Sequence, residues 1–224
     1  MTRLVFPVLI GLLGVAVLAG LGVWQLQRLA WKEGILTQID ARISAEAVAL
    51  PAAPDPEADR YLPVRITGTT TGETIPVLIS LQRQGAGYRA ISAFETDMGR
   101  RILIDEGFIP QSQWTGPLPA TPMTVTGNLH WPDEVDGFTP EPDRAANIWF
   151  ARDLPALAAE LNTEPVLVVA RVVTGTDARA TPVPVEGGGI PNNHLGYAIQ
   201  WFGLAAVWAA MTTFWVIRRR KEPA

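Results

Sequence analysis

Leu4–Leu26, LVFPVLIGLLGVAVLAGLGVWQL, and Leu195–Ile217, LGYAIQWFGLAAVWAAMTTFWVI, decide the architecture of this chain. Neither contains Asp, Glu, Lys, Arg or His. As helices rising about 1.5 Å per residue, each spans roughly 34 Å, more than the roughly 30 Å hydrocarbon core of a bilayer. The chain therefore reads as an α+β membrane protein: two transmembrane helices flanking a β-rich, antiparallel extracytoplasmic domain. Nearly all the charge lies between the two runs. Outside them stand only Arg3, Arg218, Arg219, Arg220, Lys221 and Glu222.

Arg218 to Lys221 directly follow the second run, and such a cluster stays cytoplasmic under the positive-inside rule. Two spans return the chain to its starting side. Both termini are then expected in the cytoplasm of a bacterium, with a large periplasmic domain anchored to the cell inner membrane. Arg28 and Lys32 oppose this weakly, because long domains translocate largely regardless of charge. Val17-Leu18-Ala19 looks like a cleavage site, but the apolar run continues to Leu26. That outlasts a signal-peptide core of about 7–15 residues, so the first span reads as a retained anchor.

Working outward gives a first span over residues 1–26, a helical extension over 27–50, a β-rich domain over 51–181, a connector over 182–194 carrying Gly187-Gly188-Gly189, a second span over 195–217 and a basic tail over 218–224. Leu29, Leu36, Ile39 and Ile43 keep near-helical spacing beyond the first span. Short β-type runs follow at Leu62–Thr70, Ile75–Leu81, Tyr88–Phe94, Arg101–Ile109 and Met123–Leu129, separated by Gly, Pro and Asp turns. Pro165–Val173 is the most apolar run and is expected to be a central strand. Asp153 is a natural N-cap for a short helix to Leu161, with Pro155 tolerated in its first turn.

The absence of cysteine excludes disulfides, thiolate metal sites, iron–sulfur clusters and covalent haem attachment. The acidic middle segment argues against nucleic acid as a partner. No nucleophile elbow, phosphate-binding loop, metal-spaced His/Glu set or dinucleotide fingerprint occurs, so the chain reads as no enzyme. Asp105-Glu106 and Asp133-Glu134 are paired acids, read as solvated turn or strand-end residues.

Two histidines remain. His130 ends a strand and reads as a surface or turn residue. His194 opens the second span, and on a helix His194, Tyr197 and Trp201 fall on one face near the outer interface. An imidazole there can serve as an axial ligand to haem iron, with the aromatic pair as a flat wall. Equally, Asn192 or Asn193 could cap this helix and the aromatic residues form an interfacial belt. At the matching height on the first helix, Trp24, Arg28, Trp31 and Lys32 share a face. These cations could pair with porphyrin carboxylates or lipid phosphates, or simply extend their charged ends to the interface.

The ordered motifs along the chain carry a family resemblance. GVWQLQRLAWK at Gly22–Lys32 ends the first span, and NNHLGYAIQWF at Asn192–Phe202 opens the second. Between them lie Gly87-Tyr88, Gly107-Phe108-Ile109-Pro110, Val125-Thr126-Gly127-Asn128-Leu129, Phe138-Thr139-Pro140 and Asn147-Ile148-Trp149-Phe150. Together they resemble the surfeit-locus family of cytochrome c oxidase assembly factors. The chain departs from that family at Asp105-Glu106-Gly107-Phe108, where the family has an Asn-Arg-Gly-Trp-like run, and at Glu141-Pro142-Asp143.

The resemblance implies a non-catalytic assembly factor for haem–copper (aa3-type) cytochrome c oxidase, one that binds haem a and aids its insertion into subunit I. The implied partners are that subunit, the haem a biosynthesis or insertion machinery, and membrane lipid. His194 matches the family's membrane histidine and is the implied metal ligand. Tyr197, Trp201, Trp24, Arg28 and Lys32 complete the candidate cofactor site. The alternative is a structural membrane scaffold for oxidase assembly without a cofactor. A membrane sensor with a ligand-binding outer domain is a third reading.

Overall fold

The computed structural model describes residues 2–176, 180–186 and 192–221. The expected Gly187-Gly188-Gly189 connector and the end of the basic tail, 222–224, lie outside them. The chain divides into two compact units. One joins residues up to Gln38 with those of the C-terminal segment, and the other is Ile39–Glu186.

The first unit is built from helix α1 (Thr2–Ile43), whose last residues pass into the second unit, and helix α3 (His194–Lys221). Both are long and apolar enough to cross a membrane. Pro7 lies inside α1, one turn beyond the positions where a missing N–H is free, so the helix forgoes one backbone bond there. The partly or fully covered positions of α1 follow one seam: Gly11, Val15, Leu18, Gly22, Gln25, Leu29, Lys32, Leu36 and Ile39. Their spacing alternates four and three residues, the repeat of a helix that packs along one stripe. The corresponding seam of α3 is His194, Ala198, Trp201, Ala205, Ala209 and Thr212. Small residues let the backbones approach, as helices do where apolar surroundings give them no hydrophobic drive to pair. A Cβ added to Gly22 would lie 2.7 Å from the Phe202 ring.

The second unit is a closed barrel. Its strands are β1 (Val48–Ala49), β2 (Pro63–Leu81), β3 (Gly85–Thr96), β4 (Arg101–Pro110), β5 (Pro122–His130) and β6 (Leu167–Thr174), with helix α2 (Leu154–Leu161) between the last two. The order β1-β2-β3-β4-β6-β5 closes through a second pairing, β2 with β5. The sheet is mixed, which corrects the antiparallel expectation: β1 runs parallel to β2, and β4 parallel to β6. Hairpin turns can join only antiparallel neighbours. The long α2 connection instead inserts β6 between β5 and β4. That leaves β6 antiparallel to one and parallel to the other. β6 is thus central, as its apolar run suggested.

The runs at Leu62–Thr70 and Ile75–Leu81 form one strand. β2 passes through a bulge between Thr70 and Thr74, where Gly72 takes φ +87. Its first half pairs with β5 and its second with β3, so one strand turns the corner that closes the barrel. Neighbouring residues feed two separate cores. Ile102, Ile104, Phe94 and Val168 join Val64 and Val125 in one. Leu103, Ala93, Leu167 and Val169 pack with Trp149 and the α2 residues Leu154, Leu157 and Leu161 in the other. Strands β3 and β4, and the first half of β6, are therefore covered on both faces.

The α2 N-cap is Asp153, whose Oδ1 accepts from Ala156 N at 3.2 Å. The helix stops at Asn162, in the left-handed conformation with φ 50. Helix α1 ends at Ile43, and Val48–Ala49 join the sheet inside the segment expected as a helical extension.

Candidate functional site

His194 is the first residue of α3 and lies on its seam. Its Nδ1 is 2.7 Å from Oε1 of Gln25, the polar position in the seam of α1 between Gly22 and Leu29. An amide oxygen can only accept, so Nδ1 carries the proton. In the neutral ring Nε2 then keeps its lone pair, directed away from Gln25. That is the tautomer a metal-bound imidazole needs, and its orienting partner is of the kind usually found behind one. Tyr197 N donates to Asn193 O at 3.2 Å, the first backbone bond of the helix.

The other expected site residues are more dispersed. Trp201 is half-buried on the α3 seam, whereas Tyr197 is 51% exposed, because Ala198 and not Tyr197 faces α1. Trp24 is likewise 51% exposed. The Arg28 guanidinium stacks on the Trp31 ring, 4.4 Å from its centroid, and Lys32 is half-buried on the α1 seam. The hairpin thus brings together His194, Gln25 and Trp201 along its seam and turns Trp24, Arg28 and Tyr197 outward.

In the barrel, Asp105-Glu106 is buried, which corrects the solvated reading of that pair, whereas Asp133-Glu134 is exposed as expected. Asp105 is fully buried. It accepts from Arg89 Nη1 at 2.6 Å, from Arg152 Nη1 at 3.2 Å and, through its other oxygen, from Gly107 N at 3.1 Å. Glu134 receives the Arg152 side chain and, at 2.9 Å, its backbone N–H. Burial tends to raise the Glu134 pKa, but these bonds outweigh it and hold the carboxyl below its ordinary range. Glu106 takes the Ser92 hydroxyl at 2.5 Å. Ion pairing on both sides leaves this cluster without a free nucleophile or base among the groups described, and it reads as structural.

His130 is also not a surface residue. It is largely buried and stacks on Tyr61 at a centroid distance of 5.7 Å. Burial first, then the positive charges of Arg152 and Arg60, push its pKa down to about 4. It is a neutral imidazole of the barrel wall.

The model of the SURF1 family matches residues 12–206. The chain belongs to the SURF1 family. It is similar to the human Surfeit locus protein 1, with 30% identity over 84% of this chain and 70% of that protein. A SURF1-like protein of Monosiga brevicollis is 30% identical over 90% of this chain and 83% of its own length. The rat Surfeit locus protein 1 is 26% identical over 84% and 68% respectively. The match covers the whole barrel and most of both seams, so Gln25 and His194 fall within the region shared with the family.

The motifs that carried the resemblance find separate uses in this SURF1-family chain. Asn128 in the VTGNL motif is fully buried, and its Nδ2 donates to the carbonyls of Ile43 and Tyr61, both at 2.9 Å. Trp149 of the NIWF motif is 1% exposed in the core beneath α2. Gly107 takes φ +119, and a Cβ there would run into the backbone of Thr181. The motifs at the two helix ends contain the polar pair. Gln25 was not among the expected ligand residues; the four-and-three spacing that runs through Gly22, Gln25 and Leu29 is the signal that marks it.

Proposed function

We propose that the chain is a membrane-anchored assembly factor for haem–copper cytochrome c oxidase, and that it holds haem a through His194 before the group reaches subunit I. Membership of the SURF1 family supports the role in oxidase assembly. Two apolar helices support a hairpin in the bacterial inner membrane, with both termini cytoplasmic and the barrel in the periplasm. The observation that carries the haem reading is the His194–Gln25 contact, which leaves Nε2 as a base at the end of an apolar hairpin.

The chain's own residues fit the group. Haem, when bound, supplies an iron that takes a neutral nitrogen donor. His194 Nε2 would provide it, and Trp201 stands on the same seam. Arg28 and Lys32 would meet the propionates. For Arg28 this exchanges a cation–π contact of about 0.5–1 kcal/mol for a charge-assisted hydrogen bond of about 1.5–3 kcal/mol, so the exchange is favourable.

Two measurements test this. Protein purified from cells that make haem a should carry it, seen as a Soret band and a pyridine haemochrome. Protein that restores oxidase assembly to a deletion strain while binding no haem a would favour the cofactor-free scaffold. For topology, a reporter active only in the periplasm should work when inserted near Asp55 and stay silent after Ala224. The reverse pattern would overturn the orientation.

A further inference from the structure

We propose that Gln25 is the positioning residue of the axial ligand: it fixes His194 in the Nδ1–H form and, being a neutral acceptor, keeps the iron bond weak enough to be released. This rests on the reading of His194 as the haem ligand. It adds which residue sets the strength of that ligand and what that strength is for.

Three observations support it. First, Gln25 occupies a helix–helix packing position flanked along the seam by Gly22 and Leu29, where a polar group is costly unless paired. Its Oε1 has a partner at 2.7 Å, and that partner is His194. Secondly, His194 starts α3, and the contact comes from α1, so the ring orientation depends on the two helices being paired. The hydrogen bond therefore links assembly of the hairpin to readiness of the ligand. Thirdly, the acceptor is an amide. A carboxylate behind an imidazole draws the Nδ1 proton towards itself, makes Nε2 a stronger donor and tightens its bond to iron. With no acceptor, the ring is free to turn or to place its proton on Nε2, where it blocks coordination. An amide lies between these limits. That suits a protein that must keep haem until an acceptor is present and then surrender it.

The test uses the full-length protein in detergent with Gln25→Leu, Gln25→Glu and His194→Ala. Without haem, the nitrogen NMR shifts of the His194 ring should show a proton on Nδ1 in the wild type and loss of that bias in Gln25→Leu. With haem a, the iron–histidine stretching frequency should rise in the order Leu, Gln, Glu at position 25, and the reduction potential should fall in the same order. Transfer of haem to apomyoglobin should be about 10–100-fold faster from Gln25→Leu than from wild type, and slower from Gln25→Glu. Gln25→Leu places an apolar residue of similar size on the seam, so equal helicity will show that the hairpin survives. If His194→Ala abolishes binding while the three residues at position 25 give one frequency and one potential, Gln25 only packs, and this inference falls while the ligand reading stands. If His194→Ala leaves the frequency unchanged, the ligand reading falls and takes this inference with it.

Discussion

The hairpin and the barrel bury opposite things. In the hairpin, Phe6, Leu12, Leu13, Ile199, Met211 and Phe214 point outward with more than half their surface open, and the inner seam includes small residues such as Gly11, Gly22, Ala198 and Ala205 and the polar pair Gln25 and His194. In the barrel, Ile91, Phe94, Ile102 and Leu129 are wholly enclosed, and charged residues cover much of the outside. The inversion is what the proposed placement would produce, with lipid around one unit and water around the other. What the two share is the treatment of polar groups inside. Gln25 and His194 satisfy each other, and Asp105 is bonded by two arginines and a backbone N–H. The difference lies in what each group can still do: Asp105 is held on both oxygens, whereas the described residues give His194 a partner at Nδ1 alone.

The largest expected effect breaks the barrel and spares the hairpin. Asp105→Ala leaves Arg89 and Arg152 enclosed without their shared carboxylate and should cost about 3–5 kcal/mol of barrel stability. Thermal unfolding followed by tryptophan fluorescence and far-ultraviolet dichroism should show early loss of the sheet signal with the helical signal retained. Simultaneous loss of both would mean that the two units are not independent.

The next effect is a pH dependence confined to the barrel. His130 has a folded pKa of about 4, below its ordinary 6.5. Between those values the unfolded chain binds more protons, so stability rises with pH there. Acidification through the same window should remove at most about 3 kcal/mol. His130→Phe should flatten this slope. The depressed Glu134 carboxyl adds a separate loss at lower pH, as it is protonated and releases Arg152. A slope unchanged by His130→Phe would place the titration elsewhere.

The smallest effect sharpens the contrast between exposed apolar groups in water and in lipid. Phe138 is 95% exposed on a barrel loop held by Asp136, whose Oδ1 accepts from Phe138 N at 2.8 Å. Phe138→Ala should change barrel stability by no more than about 0.5 kcal/mol. A larger loss in chemical denaturation would show that the ring packs in solution.

Sequence patterning made the hairpin legible, because a run without charge has few alternatives to a long helix. The strands, the α2 cap at Asp153 and the central place of β6 were legible for similar local reasons. What escaped was non-local. Nothing near Gly72 indicates that two apparent strands are one, since the bulge is defined by partners in β3 and β5. The mixed sheet depends on where the α2 connection returns. Asp105 and His130 looked solvated because their arginine and tyrosine partners come from distant segments. In the hairpin, His194 stood out as a histidine beside an apolar span, and the aromatic and basic residues nearby drew attention to themselves. Gln25 did not, although the seam spacing marks it once both helices are set side by side.

The chain has two histidines, one in each unit, and they give the most direct test of the account. Full-length protein carrying His194→Ala or His130→Ala should be purified from cells that make haem a, and its absorption spectrum and haem content compared with wild type. The account predicts that His194→Ala loses or shifts the haem spectrum while the barrel unfolds at the wild-type temperature, and that His130→Ala keeps the spectrum unchanged. An unchanged spectrum and stoichiometry in His194→Ala, at wild-type yield, would contradict the account.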